Sequence, residues 1–435
     1  MSSKPQNIKG MRDHLPKAMI LRQHIVNTLV DVLERHGFEP MQTPILEYAE
    51  TLEGKIGDEE KLIYRFDDHG GRRLALRYDQ TVSLARVVAQ YPNEINLPFR
   101  RYAVGQSYRG ERPARGRYRE FWQVDLDLVG SASPMADAEV IAVLTEALSA
   151  LGFQHFRTLI NHRDLLVGVA RAAGLDADAA AGVYRTVDKL DKIGPGGVRD
   201  ELVKQGVSVE SADKILEAVQ IEGAPEDVLG ALAERLAGDA EAMAAIANLR
   251  QIASYLDAMG ISRDHYVIAP RLARAFSYYT GAVFEAVVDS PPMGSLLGGG
   301  RYDKLIGQFA GRPLPTVGMA FGLERLHDVM EELGMGPAGT TTQAFVTIFS
   351  PELAAASLAV AGELRAAGVN CEIALDPGEK LGKQFKHADK RGIPLAVVIG
   401  PDEQANGAVL IRDMRTGEQR SVRREDVAAE LSKSE

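Results

Sequence analysis

Arginine crowds into residues 100–119, where Arg100, Arg101, Arg109, Arg112, Arg115, Arg117 and Arg119 are interleaved with Tyr108 and Tyr118. The run leads directly into Phe121-Trp122-Gln123-Val124-Asp125-Leu126-Asp127. A guanidinium stays charged and offers paired donors in one plane, which suits phosphate and carboxylate oxygens. The residues that follow alternate apolar and polar, so they read as a strand. Phe121, Gln123 and Asp127 then share one face at spacings of two and four, placing a ring, an amide and a carboxylate together. That order points to polyanion binding beside small-ligand recognition; a solvated basic loop is the plain alternative.

Such residues need a scaffold. At 435 residues the chain is too long for one ordinary core, and two or three domains are expected. A hydrophobic content of 45% and a charged content of 25% are those of a globular protein in water. The net charge of -10 argues against nonspecific nucleic-acid binding by the whole surface, so such a partner requires local basic patches. The lone Cys371 excludes an intrachain disulfide framework and a Cys-cluster zinc site. Met1-Ser2-Ser3-Lys4-Pro5-Gln6 lacks the apolar core of a signal peptide, and no run is long enough to span a bilayer. A cytoplasmic protein is expected.

Periodicity outlines the elements. Leu21, Ile25, Leu29, Val32 and Leu33 mark one face of a helix over 18–36, with Gly37 as its stop. Residues 74–78 read as a strand, 80–89 and 135–151 as helices, and 279–288 as a strand. Between 161 and 262 the composition shifts to Ala, Asp, Glu and Leu, which predicts a helical insertion. Strands, then helices, then strands imply an α+β region around an antiparallel sheet. Residues 334–342 have the Gly, Pro and Thr content of a linker. Beyond it, strands at 344–349, 369–374 and 395–399 alternate with helices, predicting a small, mostly parallel sheet. Ser350-Pro351 would open one of those helices, and Asp376-Pro377-Gly378-Glu379 would cap the next with Glu379 completing a capping box.

Common nucleotide and hydrolase motifs are missing. Gly378-Glu379-Lys380-Leu381-Gly382-Lys383-Gln384 is one residue short of a phosphate loop and ends in Gln. Gly298-Gly299-Gly300 lacks the spacing of a dinucleotide fingerprint, and neither His-Glu-x-x-His nor Gly-x-Ser-x-Gly occurs. No residue is assigned as a metal ligand.

Six separated motifs nevertheless stand in a familiar order. They are Gly10-Met11-Arg12-Asp13, Leu76-Arg77-Tyr78-Asp79-Gln80-Thr81, Tyr108-Arg109-Gly110-Glu111-Arg112-Pro113 with Arg115 to Phe121, Tyr278-Tyr279-Thr280-Gly281, Gly299-Gly300-Arg301-Tyr302-Asp303 and Gly322-Leu323-Glu324-Arg325. The chain resembles the histidyl-tRNA synthetases along nearly its whole length. The resemblance implies a class II catalytic domain, an antiparallel sheet flanked by helices, in residues 1–160 and 263–333. It also implies a helical insertion at 161–262, a linker at 334–342 and an anticodon-binding α/β domain at 343–435. The activity implied is ATP-dependent activation of L-histidine to histidyl-adenylate and transfer to tRNA(His), in a homodimer.

Roles follow from the same resemblance. Arg109 corresponds to the arginine on the α-phosphate of ATP, and Arg325 to the one near the γ-phosphate and adenine. Glu111 faces the adenine amino group and Phe121 stacks on the ring, with Arg117 close to ATP or the tRNA end. Arg274 corresponds to the arginine that contacts the reacting carboxylate and phosphate. Mg²⁺ is expected on the phosphates. Asp79, Thr81 and Gln123 receive the substrate amino group, and Asp127 with Tyr279 reads the imidazole. Tyr278 and Tyr279 alternate on a strand, so one of them should be core. Arg115 and the cluster Lys380, Lys383, Lys386, Lys390 and Arg391, on or after one predicted helix, are candidates for tRNA contact, and the spacing puts the first three of the cluster on a common face.

The chain departs from the family pattern at Arg274-Ala275-Phe276-Ser277-Tyr278-Tyr279, where relatives read Arg-Gly-Leu-Asp-Tyr-Tyr. It carries Ala114 where many bacterial members have a glutamine implicated in recognising the extra 5′ guanosine of tRNA(His), and Tyr78-Asp79 in place of Pro-Glu. Two other readings remain: a noncatalytic regulatory subunit of ATP phosphoribosyltransferase, which generally lacks the C-terminal domain, and an RNA-binding or sensing module.

Overall fold

The computed structural model describes residues 4–55, 57–273 and 278–432. Ile25, Leu29, Val32 and Leu33 are wholly buried along helix Pro16–Arg35. Gly37 follows at φ +74°, a left-handed conformation that lets the chain turn out of the helix without a Cβ clash.

The first strands are β1 Glu39–Pro40, β2 Leu46–Tyr48, β3 Arg65–Asp67, β4 Arg73–Leu76, β5 Phe99–Tyr108 and β6 Glu120–Val129. They are followed by β7 Phe156–His162, β8 Tyr266–Ile268, β9 Ala282–Val288, β10 Leu297–Arg301 and β11 Thr316–Gly322. Eight of them form one sheet in the order β1-β5-β6-β11-β10-β9-β7-β8. The end pairs β1–β5 and β7–β8 are parallel, and every pairing between them is antiparallel. A three-stranded sheet, β2-β4-β3, leads into helix Thr81–Gln90. Between β7 and β8 the chain is helical, from Arg163–Ala172 to Ala240–Ala258, with Ile246, Leu249 and Ile252 wholly buried.

Alternation along β6 divides the sheet chemically. Val124, Leu126 and Leu128 are buried on the apolar side, and helix Pro134–Ala150 packs on β6 and β11. Gln123, Asp125 and Asp127 lie on the other face. Their cross-strand neighbours on β11 are Gly322, Ala320 and Gly318; on β5 they are Gly105, Ala103 and Arg101. Small residues around a polar row leave a hollow there.

Local geometry differs from the sequence expectations in identifiable places. The strand expected at 279–288 begins only at Ala282. Thr280 N donates to Arg301 O at 2.8 Å, and a Cβ on Gly281 would lie 3.0 Å from the Arg301 side chain, so residues 278–281 turn against β10 instead of extending. The alternation argument for Tyr278 and Tyr279 therefore does not apply; their rings tilt against each other at 4.9 Å.

Two compact units divide the chain: Met1–Asp13 with Ile25–Met335, and His14–His24 with Gly336–Glu435. The second contains β12 Ala344–Val346, β13 Cys371–Ile373, β14 Leu395–Val398, β15 Ala408–Asp413 and β16 Gln419–Arg423, ordered β13-β12-β14-β15-β16. β13, β12 and β14 are parallel, but β15 and β16 add antiparallel, giving a mixed sheet. Only residues 399–407, which include the short helix Pro401–Asn406, separate β14 from β15, too short a crossover for a parallel return. Helix Leu381–Lys390 starts later than expected, with Lys380 as N-cap and no side-chain cap bond. Asp376 instead accepts from Gly378 N at 2.9 Å and closes its own turn.

Candidate active site

A cavity of about 350 Å³ opens over the polar face of β6 and β11. Asp79, Thr81, Gln123, Asp127, Tyr278 and Tyr279 all line it. So do Arg109, Glu111, Arg117, Phe121 and Arg325. Arg274 lies outside the described residues, as do Ala275, Phe276 and Ser277.

Asp79 sits where β4 gives way to helix Thr81–Gln90. Its Oδ1 accepts from Thr81 N and Val82 N, each at 3.1 Å, so the carboxylate is locked by the first turn of the helix. Its Oδ2 is buried without a hydrogen-bond partner among the described residues, and the same holds for Gln123 Oε1. Burial pushes the Asp79 carboxyl up, while the two backbone donors and Arg109 pull against it. Two unpartnered buried acceptors on one cavity call for a donor-rich cationic group.

Asp127 is only 2% exposed. The Tyr302 hydroxyl donates to its Oδ1 in a very short bond, and Arg101 Nη2 lies 2.6 Å from Oδ2. A Cβ on Gly318 would fall 2.0 Å from Asp127 Oδ1, so the carboxylate occupies the space that the glycine leaves. Neither Arg101 nor Tyr302 was given a role from sequence, although Tyr302 belongs to a motif quoted for the resemblance.

Arg109 is placed by the β5 terminus. Its guanidinium lies 4.2 Å from the centre of the Tyr78 ring and 4.9 Å from that of Phe121. Between β5 and β6, Ala114 and Arg117 exchange backbone hydrogen bonds of 3.0 and 2.9 Å, making a narrow hairpin that presents Arg117. Arg117 is 3.8 Å from Glu111. Arg325, on helix Leu323–Glu332, donates to Ser295 O, to Ser295 Oγ at 3.2 Å and to Gly116 O at 3.4 Å. Exposed Arg115 pairs with Glu332.

A second group was also missed from sequence. Glu324 accepts from Trp122 N at 3.2 Å and from Arg12 at 2.5 Å, while the Arg12 guanidinium lies 3.5 Å over the Tyr118 ring. This ties the N-terminal segment and the last helix of the unit to the start of β6. Among the described residues no group of three His, Cys, Asp or Glu side chains could hold a metal ion.

A largely antiparallel sheet with buried carboxylates on its open face, one cavity arginine at a hairpin base and another on the helix after the last strand defines a class II aminoacyl-tRNA synthetase catalytic domain. A family model described as Histidyl-tRNA synthetase matches residues 10–326, and one described as Anticodon binding domain matches residues 343–434. The chain belongs to the histidyl-tRNA synthetase family. A protein of Rhodopirellula baltica named Histidine--tRNA ligase is 40% identical over 422 residues, covering 96% of this chain and 95% of that one. The crystal structure of histidyl-tRNA synthetase from Nostoc sp. PCC 7120 superposes with a TM-score of 0.90 at 32% identity, over 98% of this chain and 99% of that one. A Bacillus halodurans structure described as an ATP phosphoribosyltransferase regulatory subunit/histidyl-tRNA synthetase has a TM-score of 0.74 at 24% identity, covering 89% of this chain and 97% of that one; it shows a shared fold alone.

Proposed function

We propose that this chain activates L-histidine with ATP and transfers the histidyl group to tRNA(His). The carrying observation is that Asp79 Oδ2 and Gln123 Oε1, acceptors without a partner among the described residues, share one cavity with Asp127 and with Arg109 and Arg325. Asp79 and Gln123, with Thr81 beside them, take the α-ammonium group, while Asp127 and Tyr279 take the imidazole. Tyr278 closes the same wall. A pocket built on hydrogen bonds rejects analogues lacking those groups by about 10⁴ to 10⁵.

In the first step a histidine carboxylate oxygen attacks the α-phosphorus, the bond to the bridging oxygen breaks, and pyrophosphate leaves. Arg109 holds the α-phosphate and Arg325 the γ-phosphate end, countering charge that builds on crowded oxygens. Phe121 and Glu111 hold the adenine, with Arg117 beside them. Arg274 is proposed on the reacting carboxylate. In the second step a terminal ribose hydroxyl of the tRNA attacks the activated carbonyl and AMP leaves. Mg²⁺ suits the oxygen donors here and would neutralise phosphate charge, with Glu285 as a cavity carboxylate able to join its shell.

For tRNA, Lys383, Lys386 and Lys390 are exposed on helix Leu381–Lys390, and Arg115 would exchange Glu332 for a phosphate. A homodimer belongs to the same proposal, and exposed Leu46, Tyr48 and Phe66 on the small sheet give it an apolar surface. So does work in the cytoplasm: among the described residues no helix is long and apolar enough to cross a membrane. The anticodon-domain match weighs against a purely regulatory subunit.

The test is histidine-dependent exchange of labelled pyrophosphate into ATP, followed by charging of tRNA(His). Exchange that appears with histidine and not with other amino acids is expected. No exchange at saturating ATP, Mg²⁺ and histidine overturns the proposal.

A further inference from the structure

Behind the amino-acid end of the cavity lies a buried charged layer. Arg101 stands directly opposite Asp127 across the β5–β6 ladder and is wholly buried. Arg77, Asp79 and Asp125 complete the layer, each 4% exposed or less, and a Cβ on Gly105 would lie 2.3 Å from the Arg77 guanidinium. Tyr302 reaches Asp127 from beyond β10.

Arg101 is poorly bonded for a buried arginine. Its Nη2 faces Asp127 Oδ2 and reaches Gln80 O at 3.4 Å, but Nε and Nη1 have no hydrogen-bond partner among the described residues. Arg301 shows what a buried clamp looks like: its guanidinium bonds Asp137, Ser131 O, Ser133 O and Asp303. Five donors placed for structure would be satisfied in that way. Arg101 touches Asp127 and also pulls down the Asp125 and Asp79 carboxyls, so it acts on this layer through its charge.

We propose that Arg101 is a positioning residue for substrate recognition: paired with Asp127, it keeps that carboxylate a charged acceptor and restricts the site to histidine with a neutral ring. The inference rests on the reading above that Asp127 accepts from the substrate imidazole. Burial pushes the Asp127 carboxyl up, and Arg101 is the strongest influence pulling it back, ahead of Tyr302. Asp125 is pushed up to about 8 by burial, so it is mainly protonated at neutral pH. The Arg101 guanidinium 2.6 Å from the carboxylate that faces the ring disfavours a second cation there, which an imidazolium would be. With Nη2 on Oδ2 and the phenol on Oδ1, the carboxylate keeps lone pairs for one ring N–H.

The test compares the pH dependence of KM for histidine and for ATP in pyrophosphate exchange between pH 5.5 and 8.5, for wild type, Arg101→Met, Arg101→Lys and Tyr302→Phe. In wild type, KM for histidine rises below about 6.5, where the free imidazole protonates, and is flat above pH 7. In Arg101→Met, KM for histidine rises about 100-fold at pH 7 and keeps falling as pH increases, because Asp127 has lost the cation that pulls its carboxyl down; KM for ATP stays within about twofold. Arg101→Lys restores the flat limb. Tyr302→Phe raises KM without a new ionisation, since Arg101 still holds the charge, and this variant decides the matter if Arg101→Met does not fold. A flat limb in Arg101→Met, a new ionisation in Tyr302→Phe, or a wild-type KM that does not rise below pH 6 overturns the inference. Absence of exchange in wild type would instead overturn the proposed function.

Discussion

Gly318 shows how much of the site rests on one missing methyl group. An alanine there would place carbon 2.0 Å from Asp127 Oδ1 and 2.7 Å from Leu126 O, in a strand that has no room to retreat. The cheapest relief is displacement of the Asp127 side chain. Gly318→Ala should raise KM for histidine about 100-fold in exchange assays while leaving KM for ATP within a few-fold, the size expected for a recognition group moved by an ångström. Equal loss for both substrates would show that the sheet itself had failed. Nothing in the local sequence Thr316-Val317-Gly318-Met319 marks this glycine, because its neighbour is on another strand. Asp127, Gln123 and Phe121 were legible for the opposite reason, since one strand face carries all three.

Elements behave in the same way at their ends and their middles. Middles were readable: the spacing along Pro16–Arg35 appears in the burial directly, and along β6 the apolar and polar residues alternate between faces although both faces are buried. Ends were less so, because Asp376 spends its oxygen on Gly378 and residues 278–281 are held by β10. His162 is one end with a measurable consequence. It closes β7, accepts from Asp164 N at 3.2 Å to cap helix Arg163–Ala172, and is pushed down to about 4 by burial, with Arg301 adding to the effect. The folded protein therefore binds this proton less readily than the unfolded chain does. Its contribution to stability is complete above about 6.5 and falls as pH drops towards 4, by roughly 3 kcal/mol. His162→Asn keeps an acceptor for the same N–H, so urea melts at pH 7 and pH 5 should differ less for it than for wild type. An unchanged difference would place the acid sensitivity elsewhere.

The whole molecule joins two kinds of chemistry in separate compact units, and charge tells them apart. A chain of net charge -10 must meet a polyanion through local patches, and the Lys383-Lys386-Lys390 face lies in the second unit, away in sequence from every cavity residue. Reversal of Lys383 and Lys386 to Glu should slow tRNA charging at limiting tRNA by about tenfold or more at low salt and flatten its salt dependence. Histidine-dependent pyrophosphate exchange should stay as in wild type. Unchanged charging, or a loss of exchange, would count against this division of labour.

Residue types and their order along the chain were enough to single out the β6 face that lines the cavity and the C-terminal α/β region, because each is carried by neighbours in sequence. Partners of the buried charges were not accessible that way. Asp127 and Tyr302 are 175 residues apart, Arg12 and Glu324 are 312 apart, and Arg101 meets Asp127 only because of the β5–β6 register. A local pattern sets which face a side chain takes; strand register and burial set which charge it meets there and how strongly that charge acts.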